Sequence, residues 1–260
     1  MNTGGLTMDK IIACELAYLK CFSRIFENDA HIIRFRDEQL PDMYDHNVSI
    51  LKHQLNTFDF SKLIEKEITI SLKEQRDFCN IKYYFAQEIP VMMKYHPEII
   101  CYGIYKFQSN ASTLKTVEKA LIKQVTTKSM LDEVLEVDLA TEDEDSRDFC
   151  IRRWRRRGVV YMTNPNLSSF ICYYEGQAVG RCDLFMDHGI AKIEDFAVMP
   201  SEQRKGYGTT MIKSLIDYAI EYACHTFYLV TDESDTAKEM YKKIGFKKIG
   251  ECTSLFFKFH

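Results

Sequence analysis

The stretch Val198-Met-Pro-Ser-Glu-Gln-Arg-Lys-Gly-Tyr-Gly-Thr-Thr210 decides how this chain is read. It closes an apolar, strand-like run, turns through Gly206 and Gly208, and opens an amphipathic helix. Behind it, Met211, Ile212, Leu215, Ile216, Ala219, Ile220 and Ala223 keep the spacing that buries one helix face on a sheet. Such a turn aims several backbone N–H groups at one point, with the positive end of a helix behind them. That is a seat for phosphate or pyrophosphate.

The flanking sequence gives the turn its setting. Upstream, Ser169–Tyr174 and Ala178–Met186 are expected to pair across Glu175-Gly176. Asp187-His188-Gly189 then leads into Ile190–Val198 as a second hairpin. Downstream, Phe227-Tyr-Leu-Val230 reads as a short buried strand, so the strand–helix–strand unit implies a right-handed parallel crossover. A short helix over Thr236–Lys243 ends at Gly245, and Ser254–Phe259 closes the chain. Before the hairpins, Ser129–Leu139 reads as strand-like. Thr141-Glu-Asp-Glu144 reads as a capping box opening a helix whose last turn carries Arg152-Arg-Trp-Arg-Arg-Arg157. That basic run complements the helix dipole, faces an anion, or contacts nucleic acid.

The first half predicts a helix over Met8–Phe26 with Glu15 exposed, a strand at His31–Phe35, a helix over Phe60–Phe78 and a strand at Ile99–Phe107. The fold class is α/β with an α+β mixed sheet, and the expected domains are 1–128 and 129–260. At 260 residues each half can bury a core of its own.

Composition bounds the function. An apolar fraction of 46% and a charged fraction of 28% are ordinary for a globular protein, and no apolar run approaches the ~18 residues of a membrane span. The N-terminal segment carries charges inside its apolar part and reads as a helix of the fold rather than a signal peptide. Nine cysteines, an odd number with no CxxC pair, read as buried free thiols of a reducing compartment, hence a cytoplasmic protein with no metal. Up to Met130 there are 17 basic and 16 acidic residues, and beyond it 17 and 22. There is no basic face for nucleic acid, and the acidic second half suits a cationic acceptor. The oligomeric state is left open, a homodimer included.

A dinucleotide fingerprint needs a third glycine where Met211 stands, and a Walker loop is absent. Gln203-x-x-Gly206-x-Gly208, with Val198-Met-Pro200 before it and Ala237-x-x-x-Tyr241-x-x-x-Gly245-Phe246 after it, resembles the two signatures of the GNAT superfamily of acyl-CoA-dependent N-acetyltransferases. The resemblance covers roughly residues 130–260. Ile193–Met199 is also similar to the corresponding strand of polyamine acetyltransferases. The first half is not recognised, although its length and α/β character also fit a degenerate second copy of the same fold.

The resemblance implies acetyl-CoA as co-substrate. It places the pyrophosphate on the turn that Gln203 opens, carried onto Arg204, Lys205, Gly206, Tyr207, Gly208 and Thr209 with Thr210 nearby, and the pantetheine arm along Phe196, Ala197 and Val198. It also makes Tyr241 the proton donor to the leaving thiolate and a strand N–H near Val198 the oxyanion donor. Ser234 stands where the second signature often has Asn, and a hydroxyl cannot match an amide's paired donor and acceptor. A lysine-like ammonium of pKa ~10.4 is neutral in about one molecule in 2,500 at pH 7, so a general base is useful. Glu194 and Asp195 are the candidates. Strand alternation puts them on opposite faces, and both also read as surface or structural carboxylates. Trp154, Tyr161 and Phe170 read as acceptor-pocket lining or as core. The expected activity is N-acetylation of a primary amine by direct attack on the thioester. The alternative is a catalytically inactive CoA-binding sensor or partner-binding protein.

Overall fold

The computed structural model describes residues 8–91, 94–141 and 146–259. Among them six α-helices and eleven strands follow in the order α1 (Met8–Leu19), β1 (Arg24–Asn28), β2 (Ile32–Arg36), β3 (Ser49–Leu51), α2 (Thr57–Lys73), β4 (Phe78–Tyr83), β5 (Glu98–Phe107), β6 (Leu121–Gln124), α3 (Lys128–Leu139), α4 (Arg147–Thr163), β7 (Leu167–Tyr174), β8 (Gln177–Asp187), β9 (Ile190–Val198), α5 (Tyr207–Glu221), β10 (Thr226–Asp232), α6 (Ala237–Lys243) and β11 (Phe246–Lys258). Parallel and antiparallel pairings mix, as the α/β reading expects. Contacts divide the chain into two compact units. One comprises Met1–Cys21, Tyr105–Val230 and Ala237–Lys248; the other Phe22–Ile104, Thr231–Thr236 and Ile249–His260. Neither follows a single cut between residues 128 and 129.

In the first unit the strand order is β10-β9-β8-β7-β6. The two hairpins form as expected. They close on Glu175-Gly176 and His188-Gly189, all four residues at positive φ, the geometry that matches strand twist. Then β9, α5 and β10 make a parallel crossover, in register from Thr226 opposite Ile190 to Leu229 opposite Ile193. Met211, Ile212, Leu215, Ile216 and Ala219 of α5 are buried against Cys182, Leu184, Ile193 and Leu229, so the periodic stripe becomes the core.

Several local expectations change. Lys128–Leu139 is helix α3, not strand: the Thr127 hydroxyl accepts from the Met130 N–H at 3.2 Å, and Val134, Val137 and Asp138 face inward at helical spacing. The Thr141 hydroxyl donates back to the Asp138 carbonyl at 2.9 Å, so it closes α3. The rest of the expected capping box, residues 142–144, lies outside the described residues. Helix α4 runs on to Thr163, which puts the arginine run in its middle rather than its last turn. Helix α1 stops at Leu19 and α2 at Lys73, leaving Phe78 to open β4. Glu15, expected exposed, is buried.

The second unit repeats the succession of the first. β1 pairs antiparallel with β2, β2 antiparallel with β3, and β3 crosses through α2 to parallel β4. The order β7-β8-β9-α5-β10 is the same path. Phe60, Leu63, Ile64 and Ile68 of α2 pack with Ile32, Ile81 and Leu255. Glu67 on that helix meets Arg34 at 2.6 and 3.0 Å, both side chains 1% exposed.

Gly245 ends α6 at φ +106°, and a Cβ there would lie 2.3 Å from Ser109 Cβ. Gly245→Ala is expected to lower stability by roughly 2 kcal/mol or more through strain and clash together. The urea midpoint measures it; an unchanged midpoint would mean that the 108–110 turn yields freely.

Candidate active site

Past Val198 the chain makes a short 3-10 turn at Pro200–Glu202, takes positive φ at Arg204 (+62°) and Gly206 (+94°), and enters α5 at Tyr207. The Gln203 amide donates to the Val198 carbonyl at 3.3 Å and ties the turn to the strand end. The first amides of α5 have no acceptor within the helix, and its first turn carries no acidic residue. Gly206 and Gly208 are tight for different reasons. A Cβ at 206 would lie 3.2 Å from Val117 Cγ2, and one at 208 would lie 3.0 Å from Met240 Sδ and 3.2 Å from Phe196 Cζ. These residues therefore fit an anion seat, with glycine where side chains already press.

The other residues expected at the turn divide. Gln203, Arg204 and Lys205 are exposed, and Lys205 pairs with Glu202 at 3.0 Å. Thr209 is half-buried, and the Tyr207 ring is buried against Tyr174. The Thr210 hydroxyl is buried, donating to the Gly206 carbonyl at 3.0 Å and accepting from the Val117 N–H at 2.9 Å. It braces the turn from behind. Ser234 falls in the second unit, where its hydroxyl donates to Asp232 Oδ1 at 2.8 Å.

The β9–β10 ladder ends at Ile193–Leu229, so from Glu194 to Val198 strand β9 has no β10 partner beside it. Its other edge stays on β8: Ala197 faces Arg181 and Val198 faces Gly180, where a Cβ would come 2.9 Å from the Ala197 carbonyl. Phe196 lies on this stretch, its ring edge-on to Tyr241 at 6.3 Å. Tyr241, on α6, is buried and also meets Phe246 edge-on. Phe196, Gly208 and Tyr241 thus come together from a strand and two helices.

Between Glu194 and Ala197, β9 holds one residue more than β8 does between Asp183 and Arg181. Asp195 takes up the extra residue at φ +48°, a bulge. The bulge breaks the alternation expected for Glu194 and Asp195: both meet charges of one connected cluster. Glu194 pairs with Lys192 at 2.8 Å, and Lys192 with Glu15 of α1 at 2.9 Å. Asp195 pairs with Arg157 of α4, which is 3.5 Å from Asp183. Asp183 accepts from the Tyr161 hydroxyl, while Asp138 of α3 accepts from Trp154 Nε1 and Arg181.

Burial pushes the Glu194 carboxyl up from the usual range, against Lys192 and with added repulsion from Glu15. It also raises Asp183, opposed by Arg181 and Arg157. Burial alone pulls the Lys192 ammonium down, but Glu15 and Glu194 outweigh it and hold it above the ordinary lysine range. Trp154 and Tyr161 are buried in this polar cluster. Phe170 is core, edge-on to Tyr218.

Sequence reasoning missed Lys192, Glu15, Asp183 and the buried part of the arginine run. One signal was present: Glu15 stands on the stripe Ile11, Cys14, Tyr18 and Leu19, whose members are all buried.

Helix α2 of the second unit offers no comparable seat. No glycine precedes it, the Asn56 side chain caps the Asp59 N–H at 2.9 Å, the Leu55 N–H is taken by Gln87 Oε1 at 2.8 Å, and Asp59 puts a carboxylate in the first turn.

Residues 128–246 match the Acetyltransferase (GNAT) family. They form a GNAT acetyltransferase domain. The chain is 24% identical over 238 residues to a Bacillus subtilis (strain 168) protein described as uncharacterized N-acetyltransferase CgeE, covering 87% of this chain and 89% of that one. Among solved structures, a functionally unknown conserved protein from Staphylococcus epidermidis ATCC 12228 superposes over 100% of both chains with a TM-score of 0.77 at 18% identity. A GCN5-related N-acetyltransferase from Kribbella flavida matches over 96% of this chain and 94% of its own, with a TM-score of 0.67 at 10% identity. These likenesses extend the shared fold beyond the GNAT domain to the whole chain. Among the described residues no helix is long and apolar enough to cross a membrane.

Asp195→Asn removes the carboxylate that answers Arg157, whose side chain is 4% exposed. With Asp183 sharing the load and Asp195 itself partly solvated, the expected cost is roughly 1–3 kcal/mol, read from chemical denaturation. An unaltered midpoint would show that Asp183 alone satisfies Arg157.

Proposed function

We propose that the GNAT domain is an acetyl-CoA-dependent N-acetyltransferase that acetylates a small primary amine, cationic in solution. The observation that carries this reading is the meeting of Phe196, Gly208 and Tyr241 beside the unpartnered stretch of β9. The amides opening α5 hold the pyrophosphate, with Arg204 and Lys205 on the exposed side of the turn. The strand edge from Phe196 to Val198 pairs with the pantetheine arm as an added strand would. Acetyl-CoA supplies the activated acetyl thioester.

The chain's own groups then handle protons and charge. Glu194 is the better base of the two carboxylates. It is a quarter exposed and its carboxyl is raised, whereas Asp195 is committed to Arg157. Glu194 takes the proton of the ammonium, directly or through one water, and frees the lone pair that attacks the acyl carbon. A β9 N–H near Val198 faces the developing oxyanion as a fixed dipole. The Tyr241 hydroxyl gives its proton to the departing thiolate sulfur as the C–S bond breaks, and the second proton of the acylated nitrogen returns to the tyrosinate oxygen.

Two measurements test this. Acetyl-CoA binding, followed by isothermal titration, should be lost in the Gly206→Glu, Gly208→Glu double variant, which adds side chains and negative charge to the seat. Tyr241→Phe should lower kcat about 100-fold with CoA affinity unchanged. No binding by the intact, folded protein would overturn the cofactor assignment. Equal loss of turnover and affinity in Tyr241→Phe would overturn the proton-donor role. A base with a raised pKa must be ionised to work, so kcat/KM should fall with decreasing pH at a limb above 4.5.

A further inference from the structure

Helix α1 lies outside the residues that match the GNAT family, yet it belongs to the same compact unit. It docks through an apolar contact, Tyr18 edge-on to Phe185 at 5.6 Å, and through a charge. Glu15 accepts from the Tyr228 hydroxyl of β10 at 2.7 Å and meets Lys192 Nζ at 2.9 and 3.1 Å. Lys192 is 4% exposed, lies 4.2 Å from the Tyr18 ring centroid, and reaches Glu194 at 2.8 Å. One buried ammonium thus stands between two carboxylates, one on α1 and one at the bulge of β9. A buried ionic chain is weak evidence for a stabilising role, because an apolar substitute of similar volume usually does as well. This chain ends on the candidate base.

We propose that Glu15 is a positioning residue for acyl transfer: acting through Lys192, it orients the Glu194 carboxylate and sets the charge balance against which that carboxylate takes up a proton. The inference rests on the reading of Glu194 as the base. Without Glu15 the ammonium would be answered by Glu194 alone. The tighter pair would hold Glu194 ionised to lower pH and make it a poorer proton acceptor. With Glu15 sharing the ammonium, Glu194 keeps the elevated proton affinity that burial confers on it.

The remaining charges around Glu194 are held among themselves. From β8, Asp183 stands opposite Glu194 and is engaged by Tyr161 and Arg157 of α4. The neighbouring Asp195 is taken by Arg157, and Arg181 by Asp138 of α3. Tyr18 and Tyr228, from α1 and β10, are both raised well above the ordinary tyrosine range, chiefly by burial, and stay neutral.

The test is the pH profile of kcat/KM in the full chain, together with carboxyl-carbon NMR titration of Glu194 in the protein without ligand. Glu15→Gln keeps an acceptor for Tyr228 and Lys192 but removes the charge. It should move the acidic limb and the Glu194 titration down by about one pH unit, and lower kcat with CoA affinity unchanged. Glu15→Asp withdraws the charge by one methylene and should shift both in the same direction by less. It serves equally if the Gln variant does not fold. Glu194→Gln should abolish the limb. A limb lost in Glu194→Gln but unmoved by both Glu15 variants overturns the positioning role and leaves the base intact. A limb that persists in Glu194→Gln overturns the base, and the NMR titration then reports separately whether Glu15 governs Glu194.

Discussion

The register of β8 against β9 slips by one residue at Asp195, and the charges of the site are arranged around that slip. A regular strand would send Glu194 and Asp195 to opposite faces. The bulge brings both to a side where Arg157, Arg181 and Lys192 are already buried. Each of those cations would be costly to leave unanswered. Asp138, Asp183, Asp195, Glu194 and Glu15 answer them, and in doing so tie α1, α3 and α4 to the β8–β9 hairpin. The α5 side of the same hairpin is built differently. There Cys182, Leu184 and Ile193 join Met211, Leu215 and Ile216 in the apolar core. One pair of strands therefore presents an apolar side that fixes the helix bearing the candidate anion seat, and a polar side that holds the candidate base.

The two units travel the same path of hairpin, strand, helix and parallel strand, but they open the helix differently. At α5 the entry is glycine-rich and free of acid, and the hydroxyl beneath it is spent on bracing the turn. At α2 a side chain caps the helix and an aspartate occupies the first turn. The dipole favours an anion at both. Only α5 leaves its amides and its charge for one, so the shared topology sets where a phosphate could sit and the local sequence decides whether it does.

Much of this was legible in the chain. The hairpin turns, the α5 stripe, the C-terminal glycine of α6 and the glycine turn before α5 are signals contained within a few residues, where backbone sterics and hydrophobic period act directly. The run over Ser129–Leu139 reads as strand because a brief apolar segment satisfies helix and strand patterns alike, and only the Thr127 cap and its packing separate them. The sequence places the arginine run in the last turn of its helix, as a dipole complement, an anion contact or a nucleic-acid contact; the five residues of α4 beyond Gly158 make it a mid-helix cluster, with Trp154 and Arg157 buried and Arg152 and Arg155 exposed.

What the sequence by itself determined is the part carried by neighbours along the chain: a strand, a glycine turn, a helix N-terminus, and a tyrosine on the next short helix. What only the tertiary structure decided is which charges answer one another. Lys192 and Glu15 are 177 positions apart, and Arg181 and Asp138 are 43. No local pattern marks such a pair, because a buried charge is tolerated for the partner that folding brings to it, and that partner is chosen by how helices pack on the sheet rather than by anything adjacent in sequence.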